Sequence, residues 1–171
     1  MKLTKNFSLA ELTKSQTAER LGIKNEPNTE QIVRLTNLCE NILQKVRDVH
    51  GIVTVSSGFR CAQLSEAVGS KSTSAHCANG PDLVAAADFE CIGSIGNYDL
   101  AVWISENLDF DQLILECYTK DADLPEGQGG GSSVNNSGWI HCAYKIKDNR
   151  KSVMTASRVN GKMQYEQGLH K

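Results

Sequence analysis

The sequence predicts an α+β domain, a small antiparallel sheet with helices packed on it. Apolar residues at helical spacing dominate the first fifty positions, and β-branched or alternating runs dominate from Ile52 onward. Asn160-Gly161 between two short alternating runs adds a hairpin signal. Helices first and strands later favour α+β over a doubly wound parallel sheet.

Each element has a local reason. Ser8 followed by Glu11 is a capping-box pattern that starts a short helix, and Thr17 to Leu21 is a second one closed by Gly22. Asn28 with Gln31 caps the longest helix, whose stripe is Ile32, Leu35, Leu38, Cys39, Ile42, Val46 and Val49, with Gly51 after its end. Ile52 to Val55 is a short β-branched strand. Ala62 to Val68 reads as a helix and 69–73 as a loop. Val84 to Cys91 is a strand with Ala86, Asp88 and Glu90 on one face. Asn97 caps a helix through Leu108, and Asp111 to Tyr118 is a strand apolar on both faces except at Glu116. Residues 119–138, with Pro125 and Gly129-Gly130-Gly131, read as a loop at the edge of the site. Trp139 to Ile146 returns as a strand, and Met154–Arg158 pairs with Lys162–Glu166.

The chain of 171 residues is expected to form one domain, with its core at about 6–156 and a C-terminal hairpin and tail at 152–171. Its composition is 40% hydrophobic and 22% charged, and its mean hydropathy is −0.34. A net charge of −2 offers no electrostatic case for nucleic acid or an anionic membrane. No apolar run is long enough for membrane insertion, and the first residues lack the apolar core of a secretory signal. Synthesis in the cytoplasm without an export signal is the expectation, as is a monomer. Six cysteines without a Cys-x-x-Cys pair read as reduced thiols rather than a zinc knuckle.

Three residues carry the chemistry. His76, Asp88 and His141 are enough to hold a Zn²⁺ with a fourth position left for water. Asp88 is the strongest of them, because a carboxylate among small strand residues needs a cation or several hydrogen bonds. An exposed loop histidine is the bland reading of His76, and a satisfied core histidine that of His141. Glu116 is the candidate general base, as the one acid in Leu113-Ile114-Leu115-Glu116-Cys117; a strand-end salt bridge is its alternative. Asp111, Asp121 and Glu126 are weaker candidates for that role.

Ser57-Gly58-Phe59-Arg60, Ser74-Ala75-His76, Ala86-Ala87-Asp88 and Trp139-Ile140-His141 occur in this order. The set resembles the zinc D-alanyl-D-alanine metallopeptidases: D-Ala-D-Ala carboxypeptidases and dipeptidases, and phage L-alanyl-D-glutamate endolysins. The likeness covers roughly 6–156, and Asn6 to Leu12 is similar to the start of phage-borne members. It implies a Hedgehog/D-Ala-D-Ala-peptidase-like fold, a zinc site at His76, Asp88 and His141, and a peptidoglycan peptide as substrate. It also implies that Arg60 binds a substrate carboxylate or carbonyl, a role its forked, permanently charged guanidinium suits. Ser57 is expected to assist Arg60, and Ser74 to position the His76 loop. Trp139 either walls the site or packs in the core.

Two departures stand out. The family spaces His and Asp seven positions apart, whereas Asp88 is twelve beyond His76. Residues 77–84 are read as a surface-loop insertion, with Asp82 as the rival ligand. Many relatives carry an acid three residues before the last histidine, and here that position is Gly138. Action on the cell wall after release, or as a virion component, fits this reading. The rival is a non-catalytic peptidoglycan-binding or virion structural protein with a degenerate metal site. A Cys-His peptidase using Cys77 or Cys142 is a weaker alternative.

Overall fold

The computed structural model describes residues 1–80, 83–93, 95–120 and 137–171. The helices are α1 (Leu9–Thr13), α2 (Gln16–Leu21), α3 (Thr29–Leu38), α4 (Gln44–His50), α5 (Ala62–Ala67) and α6 (Asn97–Asn107). The strands are β1 (Val53–Ser57), β2 (Val84–Cys91), β3 (Gln112–Glu116), β4 (Trp139–Lys145), β5 (Ser152–Val159) and β6 (Lys162–Gln167). They form one sheet in the order β1-β2-β4-β3-β5-β6. The α+β class is the expected one. The sheet is mixed, because β3 and β5 run parallel while every other pair is antiparallel.

The two sheet faces have different tasks. Ala85, Ala87 and Phe89 of β2, Leu113 and Leu115 of β3, and Ile140 and Cys142 of β4 enter the core. There they meet Leu35, Leu38, Ile42, Leu43 and Val46 of the long helix and Leu100 and Ile104 of α6. Each of the leucine, isoleucine, valine and phenylalanine side chains, fully buried, contributes about 1.5–3 kcal/mol. Alternation sends Asp88, Ile114, Glu116, Trp139 and His141 to the opposite face. Among the described residues no helix is long and apolar enough to cross a membrane.

Asn28 and Gln31 form the expected reciprocal cap of α3. The rod from Thr29 to His50 carries a π turn at Cys39–Leu43, where the Gln44 N–H donates to the Cys39 carbonyl. One extra residue in a turn shifts the helical phase. Leu43 therefore joins the buried stripe, and Val49, placed on that stripe by spacing, is 60% exposed. All six cysteines are free. Burial pushes the Cys39 thiol up to about 12 and that of Cys91 up to about 11, so both stay protonated and inert.

The parallel pair arises from a short crossing. After β4 the chain passes the start of β3 and re-enters the sheet on its far side. Asp111 holds this crossing: it accepts from the Arg150 guanidinium and backbone N–H, and Lys145 Nζ lies 3.2 Å away. Burial works to raise the Asp111 carboxyl, but these hydrogen bonds outweigh it and hold the group below its usual range. A depressed carboxylate contributes stability that is present above its unfolded pKa of about 3.9 and lost as pH falls through the folded value. Asp111→Asn should therefore cost about 1.5–3 kcal/mol at pH 7. Urea midpoints at pH 7 and pH 3 check this. The variant should lose less stability on acidification than the wild type, and equal losses would deny Asp111 its part.

Candidate metal centre and its cleft

The His76–Asp88–His141 cluster is built on the turn that follows β1. A bulge between Val55 and Ser57 shifts the register, and the Ser56 hydroxyl donates to the Asp88 carbonyl. Bulges of this kind re-aim a strand beside a site. Gly58 packs against the Leu12 carbonyl so closely that a Cβ would collide with it. Phe59 is buried, and Asn25 ties its carbonyl and the Cys61 N–H to the N-terminal helices. The Arg60 N–H donates to the His76 carbonyl at 3.0 Å. Gly58, Phe59 and Arg60 thus each have a physical task in locating His76, and Ser57 stands opposite Asp88.

His76 sits in a 3₁₀ turn, Ala75–Cys77, capped by Ser74, whose hydroxyl accepts from the His76 N–H. Its Nδ1 lies 2.7 Å from the Gly58 carbonyl. A carbonyl only accepts, so Nδ1 carries the proton and the Nε2 lone pair points into the site. Burial holds the ring below its ordinary pKa, against the pull of Asp88, and His76 is neutral at pH 7. Residues beyond it are anchored by α3. Gln31 donates to the Cys77 carbonyl, and Arg34 to those of Ala78 and Gly80. The segment read as a surface loop therefore starts in the core, with Cys77 and Ala78 buried. These anchors let the chain absorb the extra residues while His76 and Asp88 still converge. Asp82 lies outside the described residues.

Asp88 and His141 face each other across β2 and β4. Asp88 Oδ1 lies 2.8 Å from His141 Nδ1 and 3.2 Å from His76 Nε2, and the two nitrogens are 3.2 Å apart. Burial works to raise the Asp88 carboxyl, but the two histidines outweigh it and hold the group well below the usual carboxylate range. An ionised oxygen and an unprotonated His76 nitrogen thus face one another at 3.2 Å, an arrangement a cation between them would relieve. Ligand atoms around a tetrahedral ion with bonds of about 2.0–2.1 Å stand about 3.3 Å apart. The spacing and the mixed nitrogen and oxygen donors fit one Zn²⁺. Arg60 Nη1 is 3.9 Å from Asp88 Oδ2 and donates to Ser57 Oγ at 2.9 Å, so Ser57 orients Arg60.

Glu116 stands opposite Trp139 on the adjacent pair of strands. The Trp139 Nε1–H donates to Glu116 Oε2 at 2.9 Å, which fixes the carboxylate and leaves Oε1 for other chemistry. Trp139 is therefore a wall of the site and a partner of its acid, rather than core filling. Gly138 explains the missing acid before His141. Its φ is +70°, and a Cβ there would run into the Glu116 carbonyl and the backbone of Cys117. A side chain at 138 and Glu116 in its present place exclude one another. Asp111 is engaged by Lys145 and Arg150. Asp121 and Glu126, and most of the 119–138 loop, lie outside the described residues.

These groups open into one cleft of about 670 Å³. Arg60, Ser74, His76, Asp88, Glu116, Trp139 and His141 line it, and Ser57 does not. Lys71, Gln112, Ile114, Met154 and Tyr165 also line it and were not singled out from sequence. Their alternation was legible, but the β3–β5 pairing that brings Met154 and Tyr165 to this face has no local signal.

Two histidines and an aspartate spaced to hold one cation, beside a tethered glutamate in an open cleft, are the set of groups a metal-dependent hydrolase uses. Residues 5–122 match the family described as Peptidase M15, and the chain belongs to it. Peptidases of this family are zinc-dependent, so the chain is a metallopeptidase by family. No curated protein matches the chain. His141 falls beyond the matched residues, and its place beside His76 and Asp88 is a product of the β2–β4 pairing.

Two outcomes are expected. Metal analysis of purified protein should find one zinc per chain, and His141→Ala should lose it; full zinc occupancy in that variant would remove His141 from the site. Gly138→Ala should lower stability by about 1–2 kcal/mol from the positive φ alone, and by more from the collision. Its melting temperature measures this, and an unchanged value would contradict the close approach.

Proposed function

We propose that the chain hydrolyses peptide bonds in peptidoglycan stem peptides, as a carboxypeptidase or an endolysin-type endopeptidase. The observation that carries this reading is the tethered Glu116 beside the His76–Asp88–His141 cluster in a cleft open to an extended substrate. Zinc, when bound, supplies a Lewis acid for the scissile carbonyl and lowers the pKa of water. The protein's own groups do the rest. Glu116 Oε1 accepts a proton from the attacking water and passes it to the leaving amine. The Trp139 N–H keeps the other oxygen still during both transfers. Arg60, steadied by Ser57, offers a fixed positive charge to a substrate carboxylate or to the developing oxyanion. Lys71 adds a cation at the rim, which suits an acidic stem peptide.

The rival reading, a degenerate site, rested on the long His76–Asp88 spacing and the missing acid at 138. Convergence of the cluster and the presence of a tethered acid at Glu116 in the same cleft both favour catalysis. A phage lysin or virion enzyme acting as a monomer on the wall is the setting we infer.

Glu116→Gln keeps the shape and loses the proton acceptor. Release of peptide from purified peptidoglycan, followed by mass spectrometry, should fall about 10²–10⁴-fold. Zinc content and melting temperature should stay at wild-type values. Turnover close to wild type would send the base elsewhere, and loss of zinc with activity would make Glu116 a ligand. The mass of the wild-type product separates carboxypeptidase from endopeptidase.

A further inference from the structure

The row of residues that holds the acid continues past it. Trp139, Glu116, Ala156 and Tyr165 stand opposite one another across β4, β3, β5 and β6. Directly opposed residues share a face, so all four belong to the face of the cleft. A parallel row two residues along each strand carries Asp88, His141, Ile114 and Met154. Ile114 and Met154 thus line the cleft between the metal cluster and the C-terminal hairpin. Ala156 is fully buried and contributes only a methyl, which leaves the row low between Glu116 and Tyr165.

Tyr165 closes this side of the cleft. Its ring lines the cavity, yet it is 55% exposed. Its hydroxyl takes no hydrogen-bond partner among the described residues. Burial, then the negative field of Glu116 and Cys117, pushes the phenol above its ordinary pKa, so it remains a donor at physiological pH. The hairpin that carries it is pinned on both sides. Lys120 holds Glu166 at 3.0 Å, and Thr155 accepts from the His170 N–H and donates to the Gly168 carbonyl. Arg60 lies at the opposite end of the cleft, beside β1 and β2.

We propose that Tyr165 is a substrate-binding residue whose phenol donates a hydrogen bond to a carbonyl or carboxylate oxygen of the peptide, on the side away from Arg60. This rests on the peptidase reading above. Two strand spacings of about 4.8 Å separate Glu116 from Tyr165. That distance matches about three extended residues at about 3.4 Å each. The residue therefore reads the length of the substrate: a peptide with about three residues on that side reaches the phenol, and a dipeptide does not.

The test is Tyr165→Phe in the full chain, which keeps the ring and removes the hydroxyl. kcat and KM are measured on a stem peptide extended by several residues on both sides of the scissile bond and on the same peptide cut to a dipeptide. Binding of the extended peptide to zinc-loaded Glu116→Gln, with and without Tyr165→Phe, is measured by calorimetry. Loss of one neutral hydrogen bond corresponds to about a tenfold effect. The extended peptide should lose about tenfold in kcat/KM, mainly through KM, and about tenfold in affinity. The dipeptide should stay within twofold, with zinc content and melting temperature unchanged. Equal losses on both peptides, or no loss on either, would overturn the proposal. If the wild type cleaves neither peptide, the peptidase reading fails, and the calorimetry alone decides Tyr165: weaker binding of the extended peptide supports it and equal binding overturns it.

Discussion

A carboxylate buried on a sheet face is the constraint on which this molecule depends. Asp88 is 8% exposed, and an ionised group taken that far from water needs a compensating charge. Two histidines reach it from different parts of the chain, His141 across the ladder and His76 from a turn. Arg60 adds a positive charge only from 3.9 Å, and burial holds His76 below its ordinary pKa. A divalent cation satisfies all three at once, and binding one adds its free energy to that of the fold.

Most of the polar detail around it orients these three side chains. The Gly58 carbonyl chooses the His76 tautomer, Ser74 caps the turn that bears it, and α3 grips the backbone that follows through Gln31 and Arg34. Such supporting contacts fix ring orientation as firmly as the ligands fix the metal. The same logic governs Glu116. Its carboxylate is held by Trp139 and its backbone by the close approach of Gly138, so the acid sits on a strand rather than on a loop. Positions on strands hold geometry better than loop positions do, which is what proton transfer over a hydrogen-bond distance requires.

Much of this was legible in the residues because it is locally encoded. The capped helix from Asn28, the alternation of Val84 to Cys91 and the acid inside an apolar strand each follow from spacing alone. Motif order singled out the three side chains that converge, even though Asp88 is twelve positions beyond His76. What was hidden depends on contacts between distant segments. The π turn at Cys39 alters phase without altering composition, so Val49 was placed inward. The parallel β3–β5 pair rests on Asp111, just before β3, meeting Lys145 and Arg150, which lie far from it in sequence. Without that pair the hairpin has no address, and Tyr165 is one more aromatic residue on an alternating run. Gly138 shows the converse: the residue looked like a loss until the Glu116 backbone beside it supplied the reason.

The most direct measurement is zinc-edge X-ray absorption on the zinc-loaded chain. The account predicts a first shell of nitrogen and oxygen at about 2.0–2.2 Å, with imidazole scattering from two histidines and no sulfur. A sulfur shell at about 2.3 Å would bring Cys77 or Cys142 into the coordination sphere, and the His76–Asp88–His141 centre would be contradicted.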